Sequence, residues 1–201
     1  LLAVATAASS RLAAALRRFI GDGTAFLVEA GRRGWAGIAP WEKWWLVLSI
    51  GACTSLRCAW AVIDPPMLDE AITWLFFAGR GPLVSVACYA APNNHMLHSA
   101  VAALLGMLPM DPLTALRAPA LLASALMHGA LYLLMRRITG SFGAILGSAI
   151  AMAAPLMLQH GHLGRGYALL VLAAVVAIGA ASRWLRHYDR RALRLFCMAC
   201  C

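Results

Sequence analysis

Residues 64–111 read DPPMLDEAITWLFFAGRGPLVSVACYAAPNNHMLHSAVAALLGMLPMD, and this stretch lies between long apolar runs. Four of the eight carboxylates of the chain lie in it: Asp64, Asp69, Glu70 and Asp111. The most polar cluster of the chain lies in it as well: Asn93, Asn94, His95 and His98. We therefore expect the apolar runs to anchor the protein in a membrane and this stretch to carry the chemistry.

The composition is that of an integral membrane protein. Of the 201 residues 62% are hydrophobic, and the mean hydropathy is +0.76, whereas soluble domains contain about 45–50% apolar residues. The net charge is +9. Because the arginines cluster beside apolar runs, anchoring at a membrane surface explains this charge better than binding to nucleic acid does. The six cysteines predict no disulfide framework.

The predicted fold is all-α with four transmembrane helices, because about 20 apolar residues in a helix span the hydrocarbon layer. The four predicted spans are residues 44–63, 116–135, 142–158 and 167–185. Residues 69–78 and 97–108 are predicted to form shorter helices in the membrane interface. Before the first span, residues 11–20 are predicted to form a short interfacial helix or part of a flexible basic tail.

We divide the chain into a basic N-terminal segment (1–43), a transmembrane domain (44–185) with a polar loop at 64–115, and a basic tail (186–201). The sequence begins with Leu1 and ends in an apolar stretch. We therefore expect it to be the N-terminal part of a longer protein.

Basic residues predict the orientation. Four crossings place both termini and the 136–141 turn on one side of the membrane, and that side carries all but four of the 17 Lys and Arg residues. The exceptions are Arg57, Arg80, Arg117 and Arg165. The positive-inside rule then predicts cytoplasmic termini and an extracytoplasmic polar loop, in a bacterial inner membrane or a plasma membrane.

Asp69 and Glu70 are the first candidates for catalysis. Both lie at the start of a predicted helix, where an acid commonly caps the helix or complements its dipole. A carboxylate just outside a membrane span can instead act as a general base toward a hydroxyl group.

Asn93, Asn94, His95 and His98 are candidates for substrate binding. They can cap a helix and lie in the interface, or bind a sugar, a phosphate or a divalent cation, although their spacing specifies no metal site. Arg117 and Arg165 can pair with phosphate through a planar guanidinium group, or with lipid headgroups.

The order of these motifs resembles the N-terminal part of GT-C glycosyltransferases. The motifs are DE (69–70), PNNHMLHS (92–99), LRAPALL (116–122) and AAPLMLQHGHLGRGYALL (153–170). The branch they resemble contains dolichyl-phosphate-mannose protein mannosyltransferases and bacterial lipid A aminoarabinose transferases. The resemblance extends over about residues 44–185.

The resemblance implies that a sugar is transferred from a polyprenyl-phosphate donor to an acceptor on the outer face. Asp69 would be the catalytic carboxylate, with Glu70 as its neighbour, and Arg165, Gly166 and Tyr167 would match a motif at the start of the fourth span. Many family members have Glu two residues before that Arg, where this chain has Leu163. The acceptor and the need for a divalent cation stay open.

A second class of function is a non-enzymatic multi-pass membrane protein that binds lipid or a partner, or a fragment of a transporter. Polar residues of a transporter lie near the middle of the membrane. Most polar residues of this chain are expected at one membrane surface instead, which favours the glycosyltransferase.

The predicted orientation can be tested by cysteine labelling from outside the cell, in a background without the native cysteines. A reporter cysteine beside Asp69 should react with a membrane-impermeant reagent, and one beside Arg190 should not. The reverse pattern would invert the topology and leave the proposed chemistry without its donor.

Overall fold

The computed structural model describes residues 2–88 and 94–200, and this part of the chain is helical without a β-strand. Its helices are α1 Leu2–Ala36, α2 Pro40–Ile63, α3 Leu68–Phe76, α4 Pro82–Ala87, α5 Met96–Leu105, α6 Pro112–Ala153, α7 Pro155–His160, α8 Tyr167–His187 and α9 Arg190–Cys200, with a 3-10 turn at Ala78–Arg80. The expected all-α fold is thus confirmed for the described residues.

Three of the described helices are long and apolar enough to cross a membrane: α2, α6 and α8. Many apolar side chains on them point outward; Leu48 is 67% exposed and Val62 is 86% exposed. Such a surface on helices of this length favours lipid over water as the surroundings. The chain is therefore an integral membrane protein, and the count of four spans stays a prediction.

Helix α6 is broken at Gly140, where φ is 74° and ψ is −174°. Gly adopts a positive φ without steric cost because it has no Cβ. A Cβ added to Gly147 would lie 2.8 Å from Met135 Sδ, although residues so far apart in a straight helix are separated by about 18 Å. The chain therefore turns back, and α6 consists of two segments that lie side by side, 112–139 and 141–153.

Buried Glu42 fixes one end of α2 against both segments of α6. Its carboxylate accepts hydrogen bonds from Tyr132 Oη at 2.5 Å, from Arg136 Nε at 2.6 Å and from Ser141 Oγ at 3.0 Å. Because these donors lie on both sides of Gly140, the single carboxylate holds the turn of α6 at the start of α2.

The other end of α2 lies beside the start of α6 and beside α7. Arg117 Nη1 donates to the carbonyl oxygen of Ala61 at 2.7 Å, and Arg57 Nη2 donates to that of Met157 at 3.4 Å. The first α6 segment thus runs antiparallel to α2, and the second runs parallel to it. The end of α2 and the turn before α8 are thereby brought to the same end of the bundle as the polar loop.

The loop helices have the bounds that the sequence predicts to within a few residues. α3 ends at Phe76, where residues 69–78 were predicted as helix, and α5 ends at Leu105, where residues 97–108 were predicted. Asp111 caps α6, because its carboxylate accepts from the backbone N–H groups of Leu113 and Thr114. Placement of α3 and α5 in the membrane interface stays a prediction.

The chain divides into two compact units, and the first comprises Trp41–Leu172. The second combines residues up to Pro40 with those from Ala173 onward. Its core contains Phe26 of α1 together with Ala180, Ala192 and Leu195 of α8 and α9. Asp22 of α1 pairs with Arg194 of α9 at the exposed surface. The N-terminal helix continues to Ala36, well beyond the short helix predicted at 11–20.

Replacing Gly147 by leucine should destabilise the first unit, because the new side chain would displace the end of the Met135 side chain from between the two α6 segments. Since methionine is flexible, we expect a cost at the lower end of the range for overpacking, about 1 kcal/mol. Gly51→Leu in α2 is the matched control, since a Cβ added there meets nothing within 4 Å. Thermal unfolding in detergent, followed by circular dichroism, should give a lower midpoint for Gly147→Leu than for Gly51→Leu. Equal midpoints would contradict the packing of the two α6 segments.

Candidate functional site

The centre of the candidate site is a buried ion pair between Glu70 of α3 and Arg117 of α6. Arg117 donates from Nε to Glu70 Oε1 at 2.9 Å and from Nη2 to Oε2 at 2.7 Å. The side chains of Arg117 and Glu70 are only 2% and 1% exposed. Two parallel hydrogen bonds of this kind fix both the distance and the orientation of the two groups.

Backbone groups complete the surroundings of the Glu70 carboxylate. Gly164 N donates to Oε1 at 2.6 Å, and Met67 N donates to Oε2 at 3.0 Å. Burial opposes ionisation of Glu70, but the hydrogen bonds from Arg117, Met67 and Gly164 outweigh burial and lower the pKa of this carboxyl group below its usual value. Glu70 is thus an ionised, fully coordinated group inside the protein.

The Arg117 guanidinium group is also hydrogen-bonded within the protein through all of its nitrogens. Nη1 donates to the carbonyl oxygens of Ala61 at 2.7 Å and Asp64 at 2.9 Å, and Nη2 also donates to that of Pro65 at 3.2 Å. A guanidinium group has five N–H donors, and each of its three nitrogens here has protein acceptors. Arg117 therefore joins the end of α2, the start of α3 and the first turns of α6.

The turn between α7 and α8 contacts each acidic residue of the 64–70 segment. The three contacts are His162 Nε2 to Asp64 Oδ2 at 2.7 Å, Gly164 N to Glu70 Oε1 at 2.6 Å and Arg165 Nη2 to Asp69 Oδ2 at 2.7 Å. Position 164 requires glycine, because a Cβ there would lie 2.9 Å from Leu116 Cβ and 3.0 Å from Glu70 Oε1. The two segments can therefore approach this closely only because residue 164 is glycine and has no side chain.

Asp69 and Arg165 form the accessible ion pair of the site. Their side chains are 33% and 16% exposed. The Arg165 guanidinium lies 5.0 Å from the centre of the Tyr167 ring, a cation–π distance. The rings of His95 and His160 flank Tyr167, with centroids at 5.0 Å and 4.6 Å. We call these five residues the polar rim.

The two histidines of the polar rim are neutral near pH 7. Burial, followed by the nearby positive charge of Arg165, lowers the pKa of both His95 and His160. A neutral imidazole has one donor and one acceptor nitrogen. Arg165 therefore carries the positive charge of the polar rim, and each histidine can hydrogen-bond a hydroxyl group.

The predicted cluster at 93–98 is divided in the structure. Asn94 is buried; its amide donates to the carbonyl oxygens of Ser85 and Cys88, and its carbonyl accepts from Ser99 Oγ. Asn94 thus joins α4 to α5. Asn93 lies outside the described residues.

His98 is buried inside the protein, whereas His95 faces Tyr167. His98 is 1% exposed, and burial together with the neighbouring His95 lowers its pKa to about 4. Of the candidates at 93–98 that the structure describes, His95 is therefore the one that lies at the polar rim.

A cavity of about 280 Å³ adjoins the polar rim. Its walls are mostly apolar and include Met127, Leu156 and Val171, and His160 and Tyr167 form its polar part. We call it the apolar cavity. It offers space for a hydrocarbon chain whose polar end would lie near Arg165.

Three residues of this region were not selected from the sequence: Asp64, His160 and His162. The available signal was the GHLGRGY stretch at 161–167, where closely spaced glycines precede a helix. Among the described residues, no group of three or more His, Cys, Asp or Glu side chains is arranged to hold a metal ion.

The family match points to the class of protein, a membrane glycosyltransferase of the GT-C type. The model of the dolichyl-phosphate-mannose-protein mannosyltransferase family matches residues 92–201, which is more than half of the chain. The chain belongs to this family, as the resemblance in its sequence implied. The match includes Arg117, Arg165 and Tyr167, and it begins after Asp69 and Glu70. No curated protein and no solved structure matches the chain significantly.

Glu70→Gln should destabilise the protein strongly, because it leaves the Arg117 charge buried without its partner. Breaking a buried ion pair in this way costs about 3–5 kcal/mol. Asp111→Asn is the control, since Asp111 is exposed and Asn also caps helices. Thermal unfolding in detergent should show a large loss for Glu70→Gln and little change for Asp111→Asn. Similar midpoints would mean that the ion pair does not support the fold.

The same ion pair predicts how stability depends on pH. Because the pKa of Glu70 is lowered on folding, its contribution is complete above the unfolded-state pKa of about 4.3. That contribution is lost as the pH falls through the lower folded-state pKa. The difference in stability between the wild type and Glu70→Gln should therefore shrink on acidification below this range.

Proposed function

We propose that this protein transfers a sugar from a polyprenyl-phosphate donor to a hydroxyl group of an acceptor at the extracytoplasmic face of the membrane. One observation carries the proposal: the accessible Asp69–Arg165 ion pair lies at the polar rim, beside a cavity suited to a hydrocarbon chain. A carboxylate, a guanidinium group and an apolar space for the start of a lipid chain are what transfer from a lipid-linked sugar requires.

The donor lipid would lie with its first isoprene units in the apolar cavity and its phosphate at Arg165. Arginine suits this role because its planar group binds two phosphate oxygens at once. The phosphate would compete with Asp69 for Arg165, so donor binding would loosen the Asp69–Arg165 pair. Neutral His95 and His160 can hydrogen-bond the phosphate or the sugar hydroxyls.

Asp69 would act as the general base. It would accept the proton of the acceptor hydroxyl while the hydroxyl oxygen attacks the anomeric carbon of the donor sugar. The bond between that carbon and the phosphate oxygen breaks, and its electron pair stays with the phosphate. Arg165 would stabilise the charge that develops there. Attack opposite to the leaving group inverts the anomeric carbon.

Glu70, Arg117, Asn94 and His98 would hold the site in place without touching substrate. Of the two arginines considered for the phosphate, Arg165 is the better candidate, because the donors of Arg117 are directed at protein acceptors. Tyr167 would keep the Arg165 guanidinium at the rim through its ring face.

Asp69→Asn should reduce sugar transfer by about 100-fold or more, the range that general base catalysis supplies, while the fold is preserved. The measurement is consumption of polyprenyl-phosphate mannose by membrane vesicles that contain the full-length protein and its native acceptors. Asp111→Asn, in the same loop, serves as the control and should retain activity. Transfer at the wild-type rate by Asp69→Asn would remove Asp69 from the mechanism.

A further inference from the structure

Helix α7 separates two cavities of different chemistry. Leu156, Met157 and His160 line the apolar cavity, whereas Pro155, Leu158 and Gln159 line a second cavity of about 330 Å³. Positions three or four apart share one side of a helix, so the two sets lie on different sides of α7. We call the second space the indole cavity, because Trp60 forms part of its wall.

The polar groups of the indole cavity come from three parts of the chain. Asp64 follows α2, Gln159 lies on α7, and His162 lies in the turn before α8. Gln159 is exposed, and the Asp64 side chain is 39% exposed. The Trp60 ring is half-buried, and its centroid lies 5.7 Å from that of His162. An aromatic face thus lies beside a carboxylate and an amide.

Asp64 is the one acidic side chain among the described residues that line the indole cavity, and it is paired with His162. His162 Nδ1 lies 3.0 Å from the carbonyl oxygen of Leu158, and Nε2 lies 2.7 Å from Asp64 Oδ2. No Lys or Arg is among these lining residues. A phosphate would therefore lack a countercharge here, and a cation would have to compete with His162 for the Asp64 carboxylate.

We propose that the indole cavity binds a neutral saccharide, the part of the acceptor that presents its hydroxyl group to Asp69. The apolar face of a sugar ring would stack on Trp60, and its hydroxyl groups would hydrogen-bond the Asp64 carboxylate and the Gln159 amide. The assignment of this saccharide to the acceptor rests on the proposed function. Asp64 and Asp69 belong to one short segment, so the cavity and the base are neighbours in the chain.

The test is direct binding, without turnover, by saturation-transfer difference NMR on the full-length protein in nanodiscs. The probe is methyl α-D-mannopyranoside, and tetramethylammonium and inorganic phosphate are competitors. Trp60→Leu should weaken glycoside binding by about tenfold, as expected for the loss of an aromatic contact. Trp44→Leu is the matched control, because Trp44 lies on the same helix and is 69% exposed. It should bind like the wild type.

Gln159→Ala removes an exposed side chain and serves as a second test that does not depend on the folding of Trp60→Leu. It should also weaken binding. The proposal would be overturned by absence of glycoside binding, by equal binding to wild type and to both cavity variants, or by competition from tetramethylammonium or phosphate. Asp111→Asn, at an exposed residue outside the indole cavity, should bind the glycoside like the wild type. If the glycoside does not bind, the proposed function still stands. If Asp69→Asn transfers sugar at the wild-type rate, the proposed function is overturned, but binding in the indole cavity is not.

Discussion

The buried ion pair between Glu70 and Arg117 is the interaction on which the rest of the site depends. Inside a membrane bundle a charged side chain without a partner costs several kcal/mol, so each of these two groups constrains the position of the other. Asp69 directly precedes Glu70, and Arg165 directly follows Gly164, whose N–H binds the Glu70 carboxylate. The buried pair therefore aligns the accessible Asp69–Arg165 pair at the surface.

Much of the fold could be predicted from the sequence because apolar runs have a direct physical meaning in a membrane. The all-α class followed from their lengths, and the break between two of the runs predicted the turn at 136–141. In the structure a positive φ at Gly140 interrupts α6, and the two segments lie side by side. The turn therefore falls within the stretch 136–141, between the two spans predicted there.

The candidate site could be predicted only in part, because the role of a polar residue depends on what lies opposite it. Asp69 and Arg165 were selected separately, but their pairing is a contact between distant parts of the chain. Asn and His side chains often bind ligands, yet Asn94 and His98 are both buried in the interior of the protein. The pairing of Asp64 with His162 could not be predicted, because no sequence pattern around either residue indicates its partner.

Three carboxylates lie within residues 64–70, and they differ in the groups that surround them. Glu70 is surrounded by donors and cannot exchange them for a substrate without unfolding the turn at Gly164. Asp64 is paired with His162, so one of its carboxylate oxygens already has a protein partner. Asp69 is held by Arg165, the partner that a bound phosphate would take over. This difference in surroundings is why we propose Asp69, and neither Asp64 nor Glu70, as the base of the site.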